Sequence, residues 1–173
     1  DLMDGKIGFE SSQSGSEFFF TLQLDVVEKM PVTPASRTEI EKIMIVEDNC
    51  TTRQYLSQCL QAWQIEHSSF PSVEPVILEL LKAHEAGAPY TKILVDQNMP
   101  ETSGVELIKR LKQNPNLRSS TCILMTQDIL FDASKGLQFD GFITKPIQYR
   151  ELQELVYNQS DPLLMDQHNE DTP

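Results

Sequence analysis

The sequence predicts an α/β protein built on a doubly wound, five-stranded parallel sheet, with a small β-hairpin ahead of it. Three observations carry this expectation. Short aliphatic runs, apolar on both faces, alternate with segments whose apolar residues recur at helical spacing. Parallel strands need a right-handed crossover between them, and each helical segment supplies one. Finally, four of the five runs end on a polar or charged residue, where open α/β sheets place their ligands.

The runs and helices follow in order. Lys42-Ile43-Met44-Ile45-Val46 is a buried strand ending on Glu47-Asp48-Asn49. Thr51 to Ala62 then carries Tyr55, Leu56, Cys59, Leu60 and, just beyond, Trp63 along one helix face. Ile65 to Ser69 reads as a weaker second strand, and Glu74 to Ala86 as a helix stopping before Gly87-Ala88-Pro89. Ile93-Leu94-Val95-Asp96 is the central strand, closed by Gln97-Asn98-Met99-Pro100, because proline offers no ladder donor. A third helix bears Val105, Leu107, Ile108 and Leu111 and ends near Asn114-Pro115. Thr121 to Met125 is the fourth strand, with Thr126 at its end. A short segment at Ile129 to Gly136 leads to Gly141-Phe142-Ile143-Thr144, the fifth strand, and Lys145-Pro146 closes it. Leu152, Leu155 and Val156 mark a last helix.

The chain divides by composition into residues 1–24 (hairpin), 25–41 (linker), 42–158 (the α/β domain) and 159–173 (an acidic tail without periodicity). In the hairpin, counting by twos puts Ile7, Phe9, Phe18, Phe20, Leu22 and Leu24 on apolar faces around a Ser12-Gln13-Ser14-Gly15 turn. A lone two-stranded hairpin is marginal in water, so this face is expected to cover another surface or to mediate self-association. Pro31, Pro34, Thr33, Ser36 and Thr38 give the linker its extended, polar character.

Charge and cysteine content narrow the classes. Against 26 Asp and Glu stand only 14 Lys and Arg, so the net charge of -12 disfavours nucleic acid or an anionic membrane as the main partner. Cys50, Cys59 and Cys122 show no metal-ligand spacing and read as free thiols of a reducing compartment. No apolar run reaches the roughly 18 residues of a membrane span, and no signal peptide is seen. A cytoplasmic location is expected, with anchoring of a parent protein left open.

Collected at one rim of one sheet, the strand-end residues are Glu47, Asp48, Asp96, Thr126 and Lys145. Three carboxylates in one crevice repel one another, and a hard divalent cation relieves that repulsion. Asp48 and Asp96 are the expected direct ligands of Mg²⁺, with Glu47 acting directly or through water. Asp96 can then attack phosphorus as a carboxylate nucleophile, while Thr126 and Lys145 hold phosphoryl oxygens. His67, His84 and His168 lack the neighbours of a phosphoacceptor histidine and are expected to be solvated or packed.

Residues from about Lys42 to Tyr157 resemble a response-regulator receiver domain through Val46-Glu47-Asp48-Asn49, Val95-Asp96-Gln97-Asn98-Met99-Pro100 with Gly104, Met125-Thr126 and Phe142-Ile143-Thr144-Lys145-Pro146. The resemblance implies a flavodoxin-like strand order 2-1-3-4-5 and a phosphoryl group passed from a phosphohistidine to Asp96. It also implies Mg²⁺ held by Asp48, Asp96 and the backbone carbonyl of Asn98, and self-catalysed phosphorylation and dephosphorylation. Phe142 falls where the family has an aromatic switch that moves with Thr126, and Lys145-Pro146 where it has a cis peptide. One departure stands out: the Thr126 to Lys145 interval is a few residues short, and Gln138 stands where a glycine commonly ends the fourth helix. A short or frayed fourth helix is therefore expected at the usual output face.

Leu2 to Ser11 with Ser14 to Leu22 resemble the closing hairpin of the ATP-binding domain of sensor histidine kinases. The Asn-bearing helix and Gly-rich lid of that family are absent from the sequence, so no ATP binding is expected. The combination implies a hybrid histidine kinase, with a phosphohistidine-bearing kinase or phosphotransfer domain as partner. The alternative is a receiver-like module that binds proteins independently of phosphorylation; the presence of all five rim residues argues against it. A dehalogenase-type phosphatase would need a nucleophile and acid two residues apart, which Glu47-Asp48-Asn49 and Asp96-Gln97-Asn98 lack. A flavodoxin-like nucleotide binder would need a Gly-rich loop after the first strand, and none is there.

Overall fold

The computed structural model describes residues 5–24, 41–127 and 139–157. The expected linker apart from Glu41, the Ile129 to Gly136 segment with Gln138, and the tail with His168 lie outside the described residues. Contacts divide the chain into two units, Asp1–Ala35 and Ser36–Pro173.

In the first unit, β1 (Lys6–Ser12) pairs antiparallel with β2 (Gly15–Thr21). Gly15 takes φ 136°, a value that L side chains rarely adopt, which lets a two-residue turn close the strands. Ile7 faces Phe20 and Phe9 faces Phe18, whose ring lies 5.9 Å away. Phe19 falls on the opposite side, over Gly8, where any Cβ would collide with its ring at 2.5 Å. β2 ends three residues earlier than the alternation suggests, because Thr21 already pairs with Lys6, the first residue of β1. Ile7 and Phe18 are 86% and 77% exposed.

In the second unit, β3 (Lys42–Val46), β4 (Glu66–Phe70), β5 (Lys92–Asp96), β6 (Thr121–Thr126) and β7 (Gly141–Thr144) form a parallel sheet in the order β4-β3-β5-β6-β7. Counted within this sheet, that is the order 2-1-3-4-5. Among the described residues four helices accompany it: α1 (Cys50–Ala62), α2 (Val76–Glu85), α3 (Gly104–Gln113) and α4 (Tyr149–Tyr157).

Strand periodicity divides the core. Met44, Val46, Ile93, Val95 and Leu124 meet Leu80, Leu107 and Leu111 of α2 and α3 on one face. Ile43, Ile45, Leu94, Ile123 and Met125 meet Leu56, Leu60, Leu152 and Val156 of α1 and α4 on the other. Burial on both faces explains why these strands read as unbroken aliphatic runs. β4 begins one residue later than expected. Gln64, at φ 58°, turns the chain, and Ile65 donates its N–H to Leu60 O at 2.9 Å, so Ile65 packs beneath α1 before pairing starts.

Capping sets the helix starts that matter for the rim. Asn49 accepts from the N–H groups of Thr51 and Thr52, both at 3.0 Å, fixing α1 directly after Glu47-Asp48. Ser103 caps α3 through Glu106 N–H at 3.3 Å. Gly104 then lies so close to β5 that a Cβ would sit 2.0 Å from Asp96 O. Only glycine lets α3 start there.

Candidate functional site

At the carboxyl end of the sheet, backbone bonds beyond the ladders hold the strand ends together. Glu47 N–H donates to Phe70 O at 3.1 Å, Gln97 N–H to Met125 O at 2.9 Å and Lys145 N–H to Thr126 O at 2.7 Å. The residues following β3, β5 and β7 therefore share one rim with the ends of β4 and β6.

The rim brings together four of the expected residues. Carboxylate oxygens of Glu47, Asp48 and Asp96 all lie within 4.8 Å of one another. Lys145 Nζ reaches two of these acids, at 2.7 Å from Glu47 Oε2 and 3.0 Å from Asp96 Oδ1. Glu47 and Asp96 are buried, whereas Asp48 is exposed. The other Glu47 oxygen accepts Asn49 N–H at 3.1 Å. Lys145 thus neutralises part of the repulsion that the sequence pattern implied, yet three acids still face one ammonium.

Their titration reflects this crowding. Burial pushes the Glu47 carboxyl above its usual range; the Lys145 bond opposes the rise and the Asp96 charge adds to it. For Lys145 burial works against the charge, but pairing with Glu47 and Asp96 outweighs it and raises the ammonium above its usual value.

The remaining expected residues occupy different positions. Thr126 is fully buried at the end of β6, and its hydroxyl donates to Gln97 Oε1. Asn98 is exposed in the loop after β5. Phe142 is half-buried on β7, opposite Leu124 in the ladder and packed on the core beneath α2 and α3. The Lys145-Pro146 bond is cis, as the family resemblance implied. His67 faces the Ile65 carbonyl through Nδ1 at 3.0 Å, and His84 lies on α2.

Two rim residues escaped the sequence reading. Arg53 Nη1 donates to the carbonyls of Glu47 at 2.7 Å and Asp48 at 3.0 Å, tying the acidic loop to α1. A cation in the first turns of a helix works against the helix dipole, and that mismatch was the available signal. Gln97 had none beyond its place next to Asp96.

A doubly wound sheet with an acidic cluster and a lysine at its carboxyl rim defines a class of α/β proteins whose sites are built from strand ends. Within that class, the model of the response regulator receiver domain matches residues 43–157. The chain belongs to that family and carries a receiver domain of two-component signalling. It is similar to the autoinducer 2 sensor kinase/phosphatase LuxQ of Vibrio parahaemolyticus, 26% identical over 166 residues, covering 89% of this chain and 19% of LuxQ. The chemotaxis protein CheV2 of Helicobacter pylori is 26% identical over 106 residues, 60% of this chain and 34% of CheV2. The chain thus spans about a fifth and a third of these relatives. Among solved structures, the receiver domain of a signal transduction histidine kinase from Syntrophus aciditrophicus is 30% identical, with a TM-score of 0.57 over 67% of this chain and 86% of that one. Chemotaxis response regulator CheY4 of Vibrio cholerae, at 21% identity and a TM-score of 0.60 over 68% of this chain and 96% of its own, shares the fold. No helix among the described residues is long and apolar enough to cross a membrane.

Proposed function

We propose that this chain is a phosphoacceptor receiver in which Asp96 takes a phosphoryl group from a phosphohistidine of a kinase or phosphotransfer domain. The observation that carries the reading is the rim itself: three carboxylates within 4.8 Å of one another, two of them bridged by Lys145. Such an excess of negative charge suits a hard cation, and hard oxygen donors with an exposed side for water suit Mg²⁺. Asp48, Asp96 and the Asn98 backbone carbonyl would hold it, with Glu47 directly or through water. Bound there, the cation supplies charge neutralisation for an incoming phosphoryl group.

The chain's own residues do the rest. An Asp96 carboxylate oxygen attacks phosphorus, the P–N bond to the donor imidazole breaks, and the imidazole nitrogen recovers a proton. Lys145 moves from its carboxylate partners onto a phosphoryl oxygen, and the Thr126 hydroxyl donates to another. Phe142, three residues ahead of Lys145 on β7, would report the change as the switch aromatic. Positioning and charge account for the catalysis, as phosphoryl transfer asks little covalent work of the protein.

The domain division that goes with this reading is residues 1–24 as the terminal hairpin of a kinase ATP-binding domain, 25–41 as linker, 42–158 as receiver and 159–173 as tail. A hybrid sensor kinase is the proposed source. The similarity to LuxQ supports this, because it covers 89% of the chain, more than the receiver match at residues 43–157 alone. A cytoplasmic location fits that origin, and the exposed Ile7, Phe9, Phe18 and Phe20 make the hairpin a candidate surface for self-association.

Incubation with acetyl phosphate and Mg²⁺, read by intact and peptide mass spectrometry, tests the central claim. One added phosphoryl group on the peptide containing Asp96 is expected. No addition, or addition elsewhere, would overturn it.

A further inference from the structure

We infer that Gln97 is a positioning residue that competes with the phosphoryl group for the single hydroxyl proton of Thr126, holding the domain toward its unphosphorylated state. This rests on the receiver reading above and deepens it. A threonine hydroxyl carries one proton, and that of Thr126 is donated to Gln97 Oε1. A phosphoryl oxygen on Asp96 is an acceptor only, so it must take that proton from Gln97 before Thr126 can hold it.

The geometry leaves the Gln97 side chain as the movable partner. Its backbone is fixed on both sides, the N–H donating to Met125 O at 2.9 Å and the carbonyl accepting Gly104 N–H at 3.1 Å. Thr126 is fully buried, whereas Gln97 is only half-buried. Once released, the Gln97 amide can turn to solvent, so the exchange costs one neutral hydrogen bond and strands no buried acceptor. A side chain of the same length without an acceptor, methionine, should remove that cost.

Beryllofluoride with Mg²⁺, as the probe of the phosphorylated form, is titrated into the full chain and followed by calorimetry and amide NMR. The four proteins are the wild type, Gln97→Met, Thr126→Ala and the double variant. Gln97→Met should bind beryllofluoride about two- to tenfold more tightly than the wild type, the span of one neutral hydrogen bond. Its affinity for Mg²⁺ alone should be unchanged, and in the Thr126→Ala background the substitution should change nothing. Equal or weaker binding by Gln97→Met, or the same tightening without Thr126, would overturn the inference while leaving the receiver reading intact. No binding by any of the four proteins would sink the receiver reading, and the inference with it.

Discussion

The two ends of the parallel sheet use lysine in opposite ways. At the amino end, Lys112 donates to Asp140 at 2.6 Å and to the carbonyls of Ser120 at 2.9 Å and Arg118 at 3.3 Å. Lys92 joins Glu41 at 3.0 Å and the Val156 carbonyl at the end of α4. Each ammonium there meets one carboxylate and otherwise neutral oxygens. At the carboxyl end one ammonium, Lys145, meets two buried carboxylates, with exposed Asp48 beside them. The amino end is balanced and fastens helices to the sheet. The carboxyl end keeps surplus negative charge, a state that costs stability until a cation offsets it.

The largest effect should come from removing the proposed nucleophile. Asp96→Asn is expected to abolish phosphoryl uptake from acetyl phosphate and to leave the circular dichroism spectrum unchanged. Labelling that persists would place the acceptor on another residue. Next in size is a paired test of the two lysines. Lys145→Met leaves the Glu47 carboxylate buried without its cation, and the loss should be about 2–4 kcal/mol by urea unfolding in a chelator. Lys112→Met leaves Asp140 partly exposed to water, so about 1–3 kcal/mol is expected. Saturating Mg²⁺ stabilises every variant that keeps the site, so the measure is the gap to the wild type: it should shrink for Lys145→Met, where the cation replaces a lost positive charge, and stay constant for Lys112→Met, whose rim is unaltered. Equal narrowing in both would erase the distinction between the two ends.

The same contrast explains what the sequence could reveal. Aliphatic runs such as Ile93-Leu94-Val95 and Ile123-Leu124-Met125 are legible because burial on both faces leaves no other residue type that fits. The rim acids are legible because strand ends fix where Glu47, Asp48, Asp96 and Lys145 must meet. Arg53 and Gln97 were not, since their roles depend on where a long side chain turns back, at Glu47 O and Thr126 Oγ1, and no periodicity encodes that. The β4 start was misplaced by one residue for a similar reason: Ile65 is apolar like a strand residue but is engaged by the end of α1.

A smaller effect should appear in the pH dependence of stability. The folded-state pKa of Glu47 is raised from 4.5, mainly by burial. The folded form therefore holds this proton more tightly than the unfolded form. That contribution is complete below 4.5 and is lost as pH rises through the raised folded value. Without Mg²⁺, the urea midpoint should thus carry a downward slope with pH from 4.5 upward, and Glu47→Gln should flatten it. Lys145, raised from 10.5, acts only at the alkaline end, where its contribution disappears above its folded value, so the two slopes do not overlap. A slope unchanged in Glu47→Gln would assign it to other acids.

The least perturbing test uses the native thiols, which happen to mark both ends. Cys50 opens α1 beside the acidic loop and is exposed, while Cys122 near the start of β6 is buried, its N–H held by Asp140 at 2.6 Å. Burial pushes the Cys122 thiol up to about 12, so at pH 8 it is both shielded and protonated. Iodoacetamide in native buffer should therefore modify Cys50 and spare Cys122. Because Asp140 joins Lys112 to the Cys122 backbone, Lys112→Met should raise the slow labelling of Cys122 by loosening that end, with the Cys50 rate unchanged. Lys145→Met should leave Cys122 labelling closer to the wild-type rate than Lys112→Met does, after each is compared at equal global stability. If instead both lysine variants expose Cys122 alike, the sheet opens as one unit and the amino-end fastening has no local meaning.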